Sequence, residues 1–211
     1  MIKVKDLYVR FGKLELFNGL NFQVHSGEKV AIVGESGSGK STLIHTLLGF
    51  IPDFKGEIYY DDIPLDAKHV RHIRKGTSWV PQDLSFTVFP TVRELFFAPF
   101  GFKINRKNFP GREKIRHIFH AFQLTEDLLD RHIKEISGGQ KQRLLLAAAV
   151  LLEKPYLFLD EPTSALNEEI KNKVTDYILG LEGVTLIAAT HDPYFIRKVD
   201  KVITLKNLTY A

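Results

Sequence analysis

Apolar and polar residues alternate near the start of the chain and give way further on to short, compact apolar runs. The alternating apolar positions are Ile2, Val4, Leu14, Leu16, Phe22 and Val24, and they predict half-buried strands. Compact runs predict further strands at 29–33, 77–80, 156–160, 185–189 and 201–205, and residues 56–60 predict an edge strand. Helical stretches separate most of these runs, which indicates a mainly parallel sheet with helices on both faces.

The middle of the chain, from about 86 to 145, has the spacing of helices instead. The apolar residues at i, i+3, i+4 and i+7 are Ile115, Ile118, Phe119 and Phe122. Thr91 and Glu94 fit a capping box, in which both side chains satisfy amides at the beginning of a helix. We therefore predict a helical insertion into the α/β core.

Composition narrows the class of protein. The 211 residues are 44% hydrophobic and 26% charged, as in an ordinary globular domain. The chain has no cysteine, which excludes disulfides and thiolate-bound metals. Its longest purely apolar run, residues 144–152, is far shorter than the roughly 18 residues of a membrane span. No apolar signal core follows Met1, so we expect no targeting peptide, and a reducing cytoplasm suits the protein.

The charge balance bears on the partners of the protein. The formal net charge is +4, which favours anionic ligands such as nucleotides and an anionic membrane surface. The basic residues do not gather into one stripe along the sequence. Binding to nucleic acid is therefore not expected.

A glycine-rich segment at residues 34–41 reads Gly-Glu-Ser-Gly-Ser-Gly-Lys-Ser and matches the phosphate-loop pattern in full. An apolar strand precedes it, and a helical stretch follows from 40 to 48. Loop amides and a helix N-terminus form an anion site, to which Lys40 adds a cation and Ser41 an oxygen for Mg²⁺. An ordinary Gly-Ser turn would not need the lysine, so we predict a nucleoside triphosphate site. Its residues are Gly34, Ser36, Gly37, Ser38, Gly39, Lys40, Ser41 and Thr42.

A second candidate site lies where the apolar run 156–160 ends in Asp160 and Glu161. A buried parallel strand is nearly all apolar, and its carboxyl end faces the ligand crevice of such sheets. Asp160 is therefore placed to hold Mg²⁺, directly or through water, and Glu161 to orient and deprotonate an attacking water. A solvated strand end is the alternative interpretation of the pair taken alone, and the phosphate loop disfavours it.

Residues 136–143 read Ile-Ser-Gly-Gly-Gln-Lys-Gln-Arg and precede a long apolar helix. Ser137 and the two glycines present bare amides and a hydroxyl at a helix N-terminus, which is a second site for an anion. One chain already has a phosphate loop, so a second such site suggests a nucleotide shared between two chains. A plain helix cap would explain Ser137 but not the glycine pair after it.

This segment resembles the Leu-Ser-Gly-Gly-Gln signature of ATP-binding cassette (ABC) ATPases, and other motifs of that family occur in the family's order. They are an aromatic residue before the phosphate loop, Phe11; the Q-loop glutamine, Gln82; the D-loop, residues 164–167; and the switch histidine, His191. The resemblance covers essentially the whole chain. The chain departs from the family pattern at Asn167, where Asp is usual, and at Ile136, where Leu is usual.

The resemblance implies a fold and a division of the chain. The expected fold is a P-loop NTPase core with a mainly parallel sheet, an N-terminal antiparallel β subdomain and an inserted helical subdomain. The chain would be a single ABC ATPase domain over residues 1–211. Segments 1–85 and 146–211 would form the core, and segment 86–145 would form the helical subdomain with the signature.

The resemblance also implies roles for residues. The implied catalytic residues are Glu161, His191 and Gln82, and the implied Mg²⁺ ligands are Ser41, Gln82 and Asp160. Phe11 would stack on the adenine of ATP. In an ATP-dependent head-to-tail dimer, the residues that close on the ATP of the second copy would be Ser137, Gly138, Gly139 and Gln140.

The implied function is that of the ATP-binding and ATP-hydrolysing subunit of an ABC transporter. Such a subunit is cytoplasmic, lies on the inner face of the cell membrane and drives a separate permease. The alternative is a soluble ABC ATPase that acts as a nucleotide-gated switch outside transport. Soluble cassette proteins of DNA repair or translation usually carry two cassettes or long coiled coils, which do not fit into 211 residues. A P-loop kinase would have no role for the signature.

Phenylalanines are concentrated in the middle segment, where nine of the sixteen lie between 86 and 122. Most of them are expected to pack the helical insertion. In the ABC family, residues just after the Q-loop receive a helix of the membrane subunit. The candidates for such an exposed permease contact are Phe86, Phe89, Phe96 and Phe97.

Overall fold

Two β-sheets organise the protein in this computed structural model, which describes residues 1–12, 14–83 and 89–205 and the backbone of 209–210. The antiparallel sheet contains β1 (Ile2–Phe11), β2 (Leu14–Val24), β4 (Lys55–Tyr60), β5 (Ile63–Pro64) and β10 (Thr209–Tyr210). The parallel sheet contains β3 (Lys29–Val33), β6 (Thr77–Val80), β7 (Tyr156–Asp160), β8 (Thr185–Ala189) and β9 (Lys201–Thr204). The strand orders are β10-β2-β1-β4-β5 and β6-β7-β8-β3-β9. Both sheets agree with the predicted architecture.

Helices connect and cover the sheets. Within the described ranges they are α1 (Lys40–Leu47), α2 (Val70–Lys75), α3 (Val92–Gly101), α4 (Arg112–Ala121), α5 (Gly138–Leu151), α6 (Glu168–Leu179) and α7 (Pro193–Lys198). Short 3-10 helices at Lys103–Asn108, Glu126–Asp130 and Ile133–Glu135 lie between α3 and α5. The middle of the chain is therefore helical, as its apolar spacing predicts. None of the described helices combines the length and the hydropathy that a bilayer crossing requires.

The parallel sheet lies between two hydrophobic clusters because alternate residues of its strands point to opposite faces. Leu157 and Leu159 of β7 pack with helices α3 to α6 on one face. Tyr156 and Phe158 pack on the other face with α1 and with strands β1, β2 and β4. One face is thus covered by helices and the other by α1 together with the antiparallel sheet. This packing fixes the positions of the carboxyl ends of the parallel strands. The segments with the predicted site residues follow these ends.

Helix starts and buried faces in the middle segment follow the sequence closely. Thr91 Oγ1 accepts a hydrogen bond from Glu94 N at 3.2 Å, and Glu94 Oε2 accepts one from Thr91 N at 3.1 Å. These two bonds complete the predicted capping box. The four apolar residues predicted to face the core of this segment are all buried: Ile115, Ile118, Phe119 and Phe122.

One prediction for the middle segment is wrong. Phe96 is 0% exposed, and its ring meets the rings of Phe97 and Phe119. It belongs to the core and not to a partner surface, because α3 turns this side of the helix inward. Phe97 and Phe89 are half-buried, and Phe86 lies outside the described residues.

The strand predicted at the edge of a sheet is not at the edge. β4 lies between β1 and β5. Asp61 and Asp62 both have positive φ, 45° and 69°, which is the geometry of a two-residue hairpin turn. This turn brings Ile63 beside Tyr60. The sequence signal for β5 is weak because the strand has only two residues.

Candidate functional site

The phosphate-loop sequence forms a tight loop between β3 and α1, and its backbone requires glycine at several positions. Gly37 and Gly39 have φ of 81° and 91°, in the left-handed region that favours glycine. A Cβ on Gly34 would lie 2.4 Å from Ser38 Oγ, so a larger residue does not fit there. Helix α1 begins at Lys40 and leaves its first amides beside the loop. The backbone thus forms the concave anion site that the motif predicts.

Lys40 lies across this loop. Its Nζ donates hydrogen bonds to the carbonyl oxygens of Gly34 and Glu35, each at 2.9 Å. These acceptors are neutral, so a phosphate that enters the loop offers the ammonium group a stronger partner of opposite charge. The Ser38 side chain is buried against Gly34, and its Oγ has no hydrogen-bond partner among the described residues. The backbone of Ser38 is therefore the part that a ligand in the loop could contact.

Asp160 ends β7 beside Ser41 of α1 and is 3% exposed. Burial raises the pKa of its carboxyl group, and a hydrogen bond from the Ser41 hydroxyl partly opposes that rise. Asp160 Oδ1 has no hydrogen-bond partner in the described part of the chain. Such an oxygen next to a hydroxyl fits Mg²⁺, which takes few protein ligands and completes its shell with water and phosphate. Among the described residues, no group of three or more His, Cys, Asp or Glu forms a metal cage by itself.

Glu161 follows Asp160 directly and has a left-handed backbone conformation. Its φ is 48°, and its amide donates to the carbonyl oxygen of Ala189, the last residue of β8, at 2.9 Å. Its Oε2 lies 2.9 Å from Nδ1 of His191, which is in the turn between β8 and α7. The carboxylate side chain is 11% exposed and the imidazole 76%. Strained backbone that its neighbours hold in place is typical of functional sites.

These residues line one cleft of about 500 Å³. Its lining residues are Gly34, Ser36, Gly37, Gly39, Lys40, Ser41, Thr42, Gln82, Asp160, Glu161, Ser164 and His191. The cleft brings together the predicted catalytic residues, the predicted Mg²⁺ ligands and most of the phosphate loop. Asp192 caps α7 by accepting a hydrogen bond from Tyr194 N at 3.0 Å, which fixes the turn that carries His191.

The signature residues do not line this cleft. Ser137 caps α5, since its Oγ accepts a hydrogen bond from Gln140 N at 3.2 Å and Gln140 Oε1 accepts one from Ser137 N at 2.9 Å. Ser137 and Gly138 are exposed. Gly139 lies against the D-loop, where an added Cβ would be 2.8 Å from the carbonyl oxygen of Ala165. The N-terminus of α5 is therefore open to a ligand from outside the chain.

Phe11 and Asn167 also lie outside the cleft lining, as does Ser38 of the phosphate loop. Phe11 is at the end of β1 and is 49% exposed, so its ring is accessible for stacking. Asn167 caps α6, where its Oδ1 accepts a hydrogen bond from Ile170 N at 3.0 Å. The replacement of the usual Asp by Asn therefore leaves the helix cap intact.

Sequence reasoning missed two buried polar residues of α5. Gln142 is 1% exposed and contacts both the acidic strand end and the D-loop. Arg143 is also buried, and its guanidinium donates to the carbonyl oxygens of Phe122 and Gln123 at 2.9 and 2.6 Å, beyond the end of α4. The sequence offered one signal, the adjacent polar residues Gln142 and Arg143 just before the apolar part of the helix. Buried polar groups are hydrogen-bonded, so such a pair indicates specific partners.

Comparison with known proteins decides the family. The family model of ABC transporters matches residues 17–164, which include the phosphate loop, the signature and the acidic pair. The chain belongs to the ABC transporter family. The energy-coupling factor transporter ATP-binding protein EcfA of Onion yellows phytoplasma is 34% identical over 209 residues, covering 97% of this chain and 75% of the relative. The glutamate/aspartate import ATP-binding protein GltL of Escherichia coli is 34% identical over 206 residues, covering 94% and 84%.

Solved structures agree with this membership. The dimeric ATP-binding cassette MJ0796, in a post-hydrolysis state bound to ADP and Pi, matches with a TM-score of 0.83 at 26% identity and covers 100% of this chain and 98% of its own. CbiO1 of Clostridium perfringens, part of the ABC transporter complex CbiONQ, matches with a TM-score of 0.79 at 28% identity, covering 97% and 84%. The expected cassette fold is confirmed, and the chain is an ATP-binding ABC ATPase.

Proposed function

We propose that this ABC ATPase is the ATP-hydrolysing subunit of a transporter and drives a separate membrane permease. The proposal rests on one observation, that Glu161, His191 and Asp160 line the same cleft as the phosphate loop. The groups that the proposed chemistry needs are therefore all present in that cleft. Relatives named as ATP-binding proteins of the energy-coupling factor transporter and of glutamate/aspartate import support coupling to transport. In this role the chain is cytoplasmic and peripheral on the inner face of the cell membrane.

ATP binding uses the loop between β3 and α1. Amides of residues 34–42 surround the phosphates, and Lys40 Nζ exchanges its two carbonyl acceptors for phosphate oxygens. Ser41, Asp160 and Gln82 would hold Mg²⁺, and the ion would neutralise charge on the phosphates. Phe11 stacks its exposed ring on the adenine.

Glu161 is the general base of hydrolysis. Its carboxylate takes a proton from a water molecule that Gln82 helps to orient in line with the γ-phosphate. The water oxygen bonds to the γ-phosphorus as the bond from that phosphorus to the oxygen of the ADP leaving group breaks. His191 presents Nδ1 to Glu161, which leaves Nε2 to contact a γ-phosphate oxygen.

A second copy of the chain completes the site. The signature residues Ser137, Gly138, Gly139 and Gln140 do not line the chain's own cleft, and the first two are exposed. In a head-to-tail dimer, each signature places a helix N-terminus against the ATP that the other copy holds. The dimeric structures of MJ0796 support the pairing of two cassettes.

We further propose that the permease binds in an open depression beside the N-terminal end of α3. Phe89, Pro90, Glu94, Phe97 and Ala98 line it. A depression with apolar walls suits a helix of another chain. This position follows the Q-loop and lies in segment 86–145, which we assign to the helical subdomain of a single domain whose core is 1–85 and 146–211.

Co-purification of a membrane protein from the native host tests the coupling. Phe97→Asp should weaken this capture and leave ATP binding unchanged, because Phe97 lines the depression. Phe102→Asp is the matched control, since Phe102 is 67% exposed and does not line it. Equal capture by the two variants would contradict the proposed surface. A wild-type protein that hydrolyses ATP but captures no membrane protein would favour the soluble nucleotide-gated switch.

A further inference from the structure

Gln142 joins three functional segments through one buried side chain. Its Nε2 donates to the carbonyl oxygen of Glu161 at 2.8 Å, and its Oε1 accepts from Ala165 N at 3.0 Å. Nε2 also lies 3.4 Å from Ser164 Oγ. A carbonyl oxygen only accepts and a backbone amide only donates, so these partners fix the orientation of the side-chain amide. The helix that begins at the signature is thereby tied to the acidic strand end and to the D-loop.

The backbone at Glu161 needs such support. A φ of 48° has an energetic cost for a residue other than glycine and persists only where neighbours hold it. The amide of Glu161 is held by Ala189. Its carbonyl oxygen is held by Gln142 and by Ser164, whose hydroxyl and amide donate at 3.1 and 3.3 Å. Because the carboxylate direction follows from this backbone, a change at the carbonyl oxygen displaces the group that faces His191.

Gln142 is held in place by the residues on either side of it along α5. Gly139 approaches Ala165 so closely that a Cβ would lie 2.8 Å from its carbonyl oxygen. Arg143, directly after Gln142, bonds the carbonyl oxygens of Phe122 and Gln123. The helix therefore has little freedom to move relative to the D-loop or to the end of α4. A rigidly held amide is suited to fixing the position of its partner.

We propose that Gln142 is a positioning residue for ATP hydrolysis. It holds the backbone of Glu161 and of the D-loop so that the carboxylate is aimed at the attacking water, and it does not itself line the nucleotide cleft. The inference rests on the proposed role of Glu161 as general base. A misplaced base slows the chemical step, whereas the loop amides and Lys40 bind ATP as before. The loss should therefore fall on kcat and not on nucleotide affinity.

Gln142→Met tests the proposal because it nearly keeps the length of the side chain and removes both hydrogen bonds. We expect kcat to fall about ten- to hundredfold, as when a reacting group is slightly misplaced, with the Kd for ATP unchanged. Ser78→Ala is the matched control, since the buried Ser78 Oγ donates to Ala149 O of the same helix at 3.1 Å, outside the cleft. It should lower thermal stability and leave kcat unchanged. Phosphate release, ATP titration and thermal melts measure these quantities.

A double-mutant cycle separates positioning from general destabilisation. Glu161→Gln removes the base, so adding Gln142→Met should cause no further loss of single-turnover rate if Gln142 acts through Glu161. The inference would be overturned if the rate losses of the two variants multiplied, or if a folded Gln142→Met protein had the kcat of the wild type. Either result would leave the proposed function intact. Normal hydrolysis by Glu161→Gln alone would overturn the proposed function itself. If Gln142→Met does not fold, Gln142→Leu replaces it in the cycle, because leucine is also apolar and removes both hydrogen bonds.

Discussion

His191 Nδ1 lies 2.9 Å from Glu161 Oε2, and the two residues reach this contact from the ends of the neighbouring parallel strands β8 and β7. Glu161 follows its strand directly and has a buried backbone tied to Ala189. The imidazole, in contrast, is 76% exposed at the mouth of the cleft. The carboxylate is therefore the fixed member of the pair, and the histidine is the member that an entering phosphate can reach.

Replacing His191 with alanine removes the imidazole from the carboxylate and from the proposed γ-phosphate contact. We expect hydrolysis to fall by about 10²–10³-fold, the effect of deleting one donor where negative charge develops. ATP binding should persist because Lys40 and the loop amides are unchanged. Steady-state phosphate release measures the rate, and His72→Ala, at an exposed position of α2, is the control. An unaltered rate in His191→Ala would contradict the proposed contact.

Asp160 gives the protein a pH-dependent stability. Burial raises its pKa above the ordinary value of 3.8, and Ser41 compensates only in part. The folded protein then binds this proton more tightly than the unfolded chain. The Asp160 carboxyl group contributes its full stabilisation at pH values below its pKa in the unfolded chain. This contribution is lost as the pH rises through its pKa in the folded protein. Without nucleotide, Asp160→Asn should therefore be more stable than the wild type at neutral pH, by a margin that shrinks toward about pH 4.

Thermal melts over a range of pH measure this margin. Asp176→Asn is a control of opposite sign, because a hydrogen bond from Lys198 lowers the pKa of Asp176. That exposed variant should lose a little stability at neutral pH. ATP and Mg²⁺ should raise the thermal stability of the wild type more than that of Asp160→Asn. The reason is that ligand binding stabilises a protein by mass action, and Asp160 is a proposed metal ligand. Suppose instead that, without nucleotide at neutral pH, Asp160→Asn is less stable than the wild type. That result would contradict the prediction that burying this carboxylate is destabilising.

Contiguous motifs made much of the site predictable from the sequence. The phosphate loop and the acidic strand end each lie in one segment, so local backbone rules place Lys40 and Asp160. The approach of His191 to Glu161 depends instead on the pairing of β7 with β8, and the family resemblance indicated only that both residues are catalytic. Gln142 could not be identified, because its partners Glu161 and Ala165 come beside it only when α5 packs against the strand end.

Two adjacent phenylalanines show how tertiary packing overrides local pattern. Phe96 is 0% exposed, whereas Phe97 lines an open depression. The rotation of α3 about its own axis decides which of the two rings is buried. The apolar periodicity of the sequence does not decide it, because the helix is rich in aromatic residues. Phe96→Ala should lower the free energy of unfolding by about 3–5 kcal/mol, and Phe97→Ala should cost much less. Chemical denaturation measures both losses, and similar values would argue against the observed rotation of α3.

Glu161→Gln keeps the shape of the side chain but cannot accept the proton of the attacking water. Hydrolysis should fall by about 10²–10⁴-fold, the usual contribution of general-base catalysis. ATP binding should persist because Lys40, Asp160 and the loop amides remain. ATP would then stay bound between two chains, and a ligand that binds only the closed state stabilises that state by mass action. In size-exclusion chromatography with light scattering, this variant should be a monomer without nucleotide and a dimer with ATP and Mg²⁺.

Ser137→Arg, added to Glu161→Gln, tests whether the signature closes on the nucleotide of the partner. Ser137 is exposed at the N-terminus of α5 and outside the chain's own cleft. Arginine there places bulk where the γ-phosphate held by the other copy must lie, so the ATP-dependent dimer should disappear while each chain still binds ATP. Ser26→Arg introduces the same group at another exposed serine and should leave the dimer intact. A dimer that survives Ser137→Arg, or that forms without ATP, would contradict a site shared between two chains.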